Sequence, residues 1–241
     1  MESLDILREL VGFPTLSSAP NRALIEAASA RLTAAGAKVR LIENEDGTKA
    51  NLYATLGPDD RPGVLLSGHT DVVPVEGQDW TRDPFAMAVE DGRAYGRGTA
   101  DMKGFVACML ALAERVGREQ IRLETPLHLA LSYAVEIGCV GVRSMIDMLA
   151  QAPFRPMFCI VGEPTSLAVA TGHKGKTALR VTCRGREAHS ALAPQGLNAI
   201  YLASDMVAAI RKLQAGLVAL GFVGDGARGA DGLIAIMVIP E

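Results

Sequence analysis

Residues 63–71 read G-V-L-L-S-G-H-T-D, a short apolar run between two glycines that is followed at once by polar residues. A run of this length and composition is typical of a strand that is buried on both faces, as in the sheets of α/β proteins. His69 and Asp71 then lie just beyond the strand, where α/β folds place their chemistry. The stretch predicts a central strand with functional residues at its carboxyl end.

The sequence on either side alternates between helical and strand-like patterns. Helices are predicted over residues 4–11, 21–35, 105–116, 140–149 and 198–213, and strands over 39–42, 51–56, 63–68, 127–133, 157–161 and 178–183. Alternation of this kind favours an α/β fold with a mostly parallel mixed sheet and flanking helices. A change of texture near residue 176 predicts two domains, residues 1–175 and an incomplete, smaller α+β domain over residues 176–241.

Composition narrows the class of protein further. The chain has 241 residues, 49% of them hydrophobic and 21% charged, with a net charge of −3, which fits a folded globular protein and gives no basis for binding nucleic acid or a membrane surface. No apolar stretch approaches the ~18 to 20 residues of a membrane span. Four cysteines without a C-x-x-C pair are expected to be reduced thiols, which favours a cytoplasmic location.

One histidine and three acidic residues follow predicted strands or glycine-rich turns that should converge on one edge of the sheet: His69, Asp101, Glu136 and Glu163. Carboxylates crowded into a cleft either share protons or bind a cation, and a mixed nitrogen and oxygen ligand set with one imidazole suits zinc. Asp71 either accepts the second ring N–H of His69, which would fix the tautomer that binds metal, or caps its own loop.

Seven motifs, in order, resemble a family of zinc aminoacylases and peptidases that includes acetylornithine deacetylase, succinyl-diaminopimelate desuccinylase and carboxypeptidase G. The resemblance covers about residues 4–214, and two of its motifs, E-I-G-C and T-G-H-K-G, look most like acetylornithine deacetylase. The motifs are S-G-H-T-D-V-V-P (67–74), W-x-x-D-P-F (80–85), Y-G-R-G-T-A-D-M-K-G (95–104), E-I-G-C (136–139), V-G-E-P-T (161–165), T-G-H-K-G (171–175) and G-R-E-A-H-S (185–190).

The resemblance implies a zinc-hydrolase catalytic domain with a dinuclear centre, in which cobalt could replace zinc in vitro. His69 and Glu163 would bind one ion, Asp101 would bridge both, and Glu136 would bind the other. The implied reaction is hydrolysis of the amide bond of an N-acyl amino acid, most specifically N-acetylornithine in arginine biosynthesis. His189 would stabilise the developing oxyanion, its alternative role being that of a turn residue, and the smaller domain, a lid, would form a homodimer.

The chain departs from the family pattern in two places. The family has two glutamates before I-G-C, and the first acts as general base; here Val135 occupies that position, while Glu136 falls on the metal ligand. Loss of a positioned base typically reduces the rate ~10²- to 10⁴-fold. The family also takes a last metal histidine from beyond the lid, but the histidines here are 69, 128, 173 and 189. We therefore expect a C-terminally truncated homologue with one intact zinc site.

Several alternatives follow from these departures. The chain is either a deacetylase, a truncated homologue without a base that binds metal or a partner without turnover, or a fragment without a role of its own. His128, on an alternating strand, is expected to be a packed structural residue. Lys103, Lys174 and Arg186 are candidate partners for a substrate carboxylate, with surface charge as the favoured interpretation.

Overall fold

The computed structural model describes residues 3–171 and 180–219. The chain divides into two compact units, Met1–Val169 and Ala170–Glu241. The elements of the first unit are α1 (Ser3–Val11), α2 (Arg22–Ala34), β1 (Lys38–Glu43), β2 (Ala50–Leu56), β3 (Val64–His69), β4 (Ala88–Glu90), β5 (Arg93–Tyr95), α3 (Lys103–Arg118), β6 (Leu127–Ser132), α4 (Arg143–Ala150) and β7 (Phe158–Val161). The second unit contains 3₁₀ turns (Ser190–Gln195) and α5 (Ala199–Ala219).

A five-stranded mixed sheet forms the centre of the first unit, in the order β1-β2-β6-β3-β7. Strand β2 runs antiparallel to both β1 and β6, whereas β3 runs parallel to β6 and to β7. Four of the five strands consequently point the same way, and only β2 is reversed. This arrangement confirms the predicted α/β fold with a mostly parallel mixed sheet.

Helices cover both faces of this sheet. On one face α1, α2 and α3 pack together, with Leu129 and Leu131 of β6 in the same core cluster. Ala130 points the other way, because successive strand residues alternate, and packs with Leu65 and with Met145 of α4. Burial of these apolar side chains is the main term that stabilises the unit.

The apolar run over residues 157–161 predicts a second buried strand, and for β7 the expected burial is wrong. All four of its residues are exposed, including Phe158 and Ile160 at 53% and 46%. The strand lies at the edge of the sheet and pairs only with β3 in the described part of the chain. An apolar run predicts that a strand forms, but its position in the sheet decides how much of it is covered.

A second correction concerns the strand predicted over residues 178–183. The described part of that stretch, 180–183, has no regular strand, and the rest lies outside the described residues. An isolated bridge between Arg186 and Leu197 is instead the backbone pairing that precedes α5. Among residues 3–171 and 180–219, no helix has the length and apolar character needed to cross a membrane.

Candidate metal centre

The carboxyl ends of β3, β6 and β7 lie at one edge of the sheet because these three strands are parallel. His69 is the last residue of β3, Glu136 follows the end of β6 by four residues, and Glu163 follows β7 by two. Asp101 comes from a different direction, in the loop that leads into α3. The topology therefore brings residues that are far apart in the sequence to one edge.

Three of these side chains form a cluster that could bind a metal ion. His69, Asp101 and Glu163 each offer one ligand atom, and the three atoms lie within 4.8 Å of one another. Nε2 of His69 lies 3.0 Å from Oδ1 of Asp101 and 3.8 Å from Oε1 of Glu163. The imidazole is 3% exposed, whereas the two carboxylates are 49% and 41% exposed, so the cluster opens to solvent on its acidic side.

The electrostatics of the cluster favour a cation. Burial lowers the pKa of His69, but the hydrogen bond and charge of Asp71 and the charge of Glu163 outweigh it and raise that pKa to about 9. Burial, together with the charges of Asp101 and Glu136, raises the pKa of Glu163 above its usual value despite the opposing effect of His69. Without a metal ion, a proton on His69 partly neutralises these carboxylates.

The ring orientation of His69 suits metal binding. Its Nδ1 lies 2.8 Å from the backbone carbonyl oxygen of Asp71, which can only accept a hydrogen bond, so Nδ1 carries the proton. In the neutral ring the lone pair is then on Nε2, which faces Asp101 and Glu163. One imidazole nitrogen and two carboxylate oxygens are a donor set that fits zinc, and three protein ligands are the usual number in a catalytic zinc site.

The carboxylate of Asp71 makes contacts that its predicted role did not include. It accepts hydrogen bonds from Ser17 Oγ at 2.7 Å and from the backbone N–H groups of Val135 and Glu136 at 3.1 and 3.2 Å. Its Oδ1 lies 3.5 Å from Nδ1 of His69. Burial raises the pKa of Asp71, but the hydrogen bonds from His69, Ser17 and Val135 outweigh it, and the pKa lies below its usual value.

Glu136 is not part of the cluster of three. Its charge nevertheless contributes to the raised pKa of Glu163, and its backbone is held by Asp71. Val135 lies beside Glu136 in the same turn and donates its backbone N–H to Asp71. Its side chain has no ionisable group. The loop thus has the predicted ligand type at position 136 and no proton acceptor at position 135.

Lys103 is not a surface charge, and that interpretation was wrong. Its side chain is fully buried, and Nζ donates hydrogen bonds to the carbonyl oxygens of Leu10 and Phe13 at 3.0 and 2.7 Å. Burial lowers its pKa to about 7, against the raising effect of the Asp71 charge. His128, in contrast, is the packed residue that was predicted, since Nδ1 lies 2.9 Å from Thr55 Oγ1 and the ring stacks on Tyr53.

Two predicted functional residues lie in the second unit. His189 and Arg186 line an open pocket of about 450 Å³. Nδ1 of His189 accepts a hydrogen bond from the backbone N–H of Ala191 at 3.2 Å, so the neutral ring carries its proton on Nε2. Nε of Arg186 donates to the carbonyl of Gln195 at 2.9 Å. Lys174 lies outside the described residues.

Sequence reasoning missed Thr15 and Ser17, two buried polar residues between α1 and α2. The Thr15 hydroxyl donates to the carbonyl of Thr70 at 2.5 Å, next to His69, and Ser17 donates to Asp71. The stretch T-L-S-S after Phe13-Pro14 resembles an ordinary polar connection. Only the pairing of this connection with the end of β3 brings it to the site.

The fold and this cluster define an α/β protein with a candidate metal centre at the carboxyl edge of a mostly parallel sheet. The family model described as peptidase family M20/M25/M40 matches residues 65–227. The chain therefore belongs to this peptidase family, and the resemblance seen in the motifs is confirmed.

Two curated relatives match most of this chain. The chain is 36% identical over 221 residues to an acetylornithine deacetylase of Vibrio vulnificus, a match that covers 89% of this chain and 57% of that protein. It is 38% identical over 208 residues to an acetylornithine deacetylase of Pasteurella multocida, covering 83% and 52% of the two chains. The chain thus spans little more than half the length of these relatives.

Solved structures share the fold at lower identity. A tripeptidase of Staphylococcus aureus has a TM-score of 0.59 and 21% identity, and the match covers 86% of this chain and 55% of the tripeptidase. A metallo-carboxypeptidase of Sulfolobus solfataricus has a TM-score of 0.57 and 24% identity, covering 67% and 37% of the two chains. At these identities the likeness concerns the fold alone.

Proposed function

We propose that the chain belongs to a zinc-dependent enzyme that hydrolyses the amide bond of an N-acyl amino acid, with N-acetylornithine as the preferred substrate. The observation that carries the proposal is the convergence of His69, Asp101 and Glu163 within 4.8 Å. The choice of substrate is supported by relatives that are named acetylornithine deacetylase.

His69, Asp101 and Glu163 would bind the metal, and Glu136 would bind a second ion. A bound zinc supplies Lewis-acid chemistry, because it polarises a carbonyl and makes water more acidic. The Nδ1–H group of His69 donates a hydrogen bond to the Asp71 carbonyl, which keeps the lone pair of Nε2 available for the metal. We assign His189 the stabilisation of the developing oxyanion, for which its Nε2–H is the right kind of donor.

The remaining assignments rest on the resemblance. We propose residues 1–175 as part of the catalytic domain and residues 176–241 as part of a lid through which two copies form a homodimer. The four cysteines are free, which supports a reducing compartment such as the cytoplasm.

The experiment is hydrolysis of N-acetylornithine by the purified chain with added zinc or cobalt. We expect a slow rate that chelation abolishes and that Asp101→Asn removes, because Asp101 is a proposed metal ligand. Replacing Val135 with glutamate supplies a proton acceptor and should raise the rate ~10²- to 10⁴-fold. Val135→Gln, which has a similar length and no basic carboxylate, is the matched control and should not raise it.

A second candidate function is metal binding without turnover. The valine at position 135 favours it, because that side chain cannot take a proton from water. Tight binding of zinc, with rates equal to buffer for both the natural chain and Val135→Glu, would reject the hydrolase for this chain and support the second candidate.

A further inference from the structure

The loop that carries Asp101 is connected to the end of α1 through Lys103. The backbone N–H of Lys103 donates to the carbonyl of Gly98 at 2.9 Å and closes the loop around Asp101. The buried ammonium group of the same residue donates to the carbonyls of Leu10 and Phe13. Lys103 thus fixes the base of this loop against the last turn of α1 and against Phe13, which follows it.

The stretch of chain after Phe13 contacts the segments that carry His69 and Glu136. Ser17 N–H donates to the carbonyl of Val72 at 3.1 Å, and Val72 N–H donates to the carbonyl of Thr15 at 3.0 Å, so residues 15–17 pair with the segment that follows His69. The Ser17 hydroxyl then donates to the Asp71 carboxylate. Asp71 in turn accepts from the backbone of the loop that carries Glu136.

We propose that residues 13–17, which we call the brace, set the distance between the Asp101 loop and the loops of His69 and Glu136, with Lys103 and Ser17 as positioning residues. The inference rests on the proposed metal function, because it concerns how that site is held. The partners of Lys103 are neutral carbonyls, so its hydrogen bonds offset only part of the cost of burying an ammonium group. The contacts of Lys103 with Gly98 on one side and with Leu10 and Phe13 on the other suit a residue that holds two segments together.

The proposal predicts an effect of Lys103 on two backbone N–H groups that it does not contact, those of Val135 and Glu136. The backbone N–H groups of Val135 and Glu136 bind Asp71, and the brace connects Asp71 to Lys103. If the brace acts as one unit, loosening it at Lys103 must loosen these N–H groups as well. A purely local role for Lys103 would leave them unchanged.

The test uses the full chain without metal and with Co²⁺. Hydrogen exchange of the amides of residues 135 and 136 should become about tenfold faster in both Lys103→Met and Ser17→Ala. The dissociation constant for Co²⁺, measured by calorimetry, should rise about 10- to 100-fold in each. Ser17→Thr keeps the hydroxyl and should restore both values.

Thr55→Val, which removes a buried hydroxyl that contacts His128 on β6, is the control for loss of a buried hydrogen bond and should change neither value. If Lys103→Met does not fold, Ser17→Ala decides the question at the far end of the brace, where the backbone N–H of Lys103, which donates to Gly98, should then exchange about tenfold faster. Unchanged exchange in a folded Lys103→Met or Ser17→Ala variant overturns the brace. If the natural chain binds no Co²⁺ but amide exchange at residues 135 and 136 still becomes faster in the variants, the brace is supported and the metal function is refuted. Failure of the brace and failure of the metal function therefore give different results.

Discussion

Metal binding by this chain should depend steeply on pH, because His69 must lose a proton before Nε2 can bind a metal. The pKa of His69 is raised to about 9 in the metal-free protein by Asp71 and Glu163, in spite of burial. The perturbation is a change of pH from about 6.5 to 8.5. Over this range an ordinary histidine goes from about half protonated to almost fully neutral. His69 stays mostly protonated over this range.

The magnitude follows from the fraction of His69 that is neutral. With a pKa of about 9, that fraction rises from ~0.3% at pH ~6.5 to ~24% at pH ~8.5, which raises the apparent metal affinity ~80-fold. A histidine with the ordinary pKa of ~6.5 would give only a ~2-fold increase over the same range. The size of the increase in metal affinity therefore shows whether the pKa of His69 is raised or ordinary.

The assay is calorimetric titration of the metal-free chain with Co²⁺ in buffers that have different ionisation enthalpies. Proton release should be close to one per metal ion at pH ~7, since binding must remove the proton from His69. Glu163→Gln removes one of the charges that raise the pKa of His69, so its affinity should be lower overall and less dependent on pH.

His128→Gln is the matched control, because the pKa of His128 is lowered by burial and this residue lies outside the cluster. It should leave the pH dependence unchanged. An affinity that rises less than ~3-fold between pH ~6.5 and ~8.5, with no proton release at pH ~7, would refute the assignment of His69 as a protonated ligand.

Three further predictions concern stability and packing. Because the pKa of His69 is raised in the fold, the metal-free chain should lose ~1–3 kcal/mol of unfolding free energy as pH rises from ~6.5 through ~9, measured by urea denaturation. Leu110→Ala should cost ~2–5 kcal/mol because the side chain is fully buried, whereas Leu112→Ala on the exposed face of α3 should change little; equal costs would contradict the packing. Gly162→Ala would place Cβ 1.9 Å from the ring of Phe105 and should displace Glu163, so retention of wild-type Co²⁺ affinity would argue against this geometry.

Much of the fold could be predicted from the sequence because its signals are local. The glycine-bounded run at 63–68 predicted β3, and the turn-forming dipeptide Asp46-Gly47 lies between β1 and β2, which pair antiparallel. Each signal depends on periodicity or turn chemistry within a few residues. The residue types of the site followed in the same way, since His69 ends β3 and Glu163 comes two residues after β7.

Tertiary structure decided what depends on neighbours from distant parts of the chain. A lysine at a helix start looks like surface charge, yet Lys103 is fully buried, and Leu10 in α1 and Phe13 just after it provide carbonyls for its amino group. The contact of Ser17 with Asp71 spans 54 residues, and no local pattern indicates it. Likewise β7 has the apolar composition of a buried strand but occupies an exposed edge. Local sequence was enough to locate most of the helices and strands and to name side chains that can bind a metal, whereas burial, partners and pKa values depend on which elements pack together.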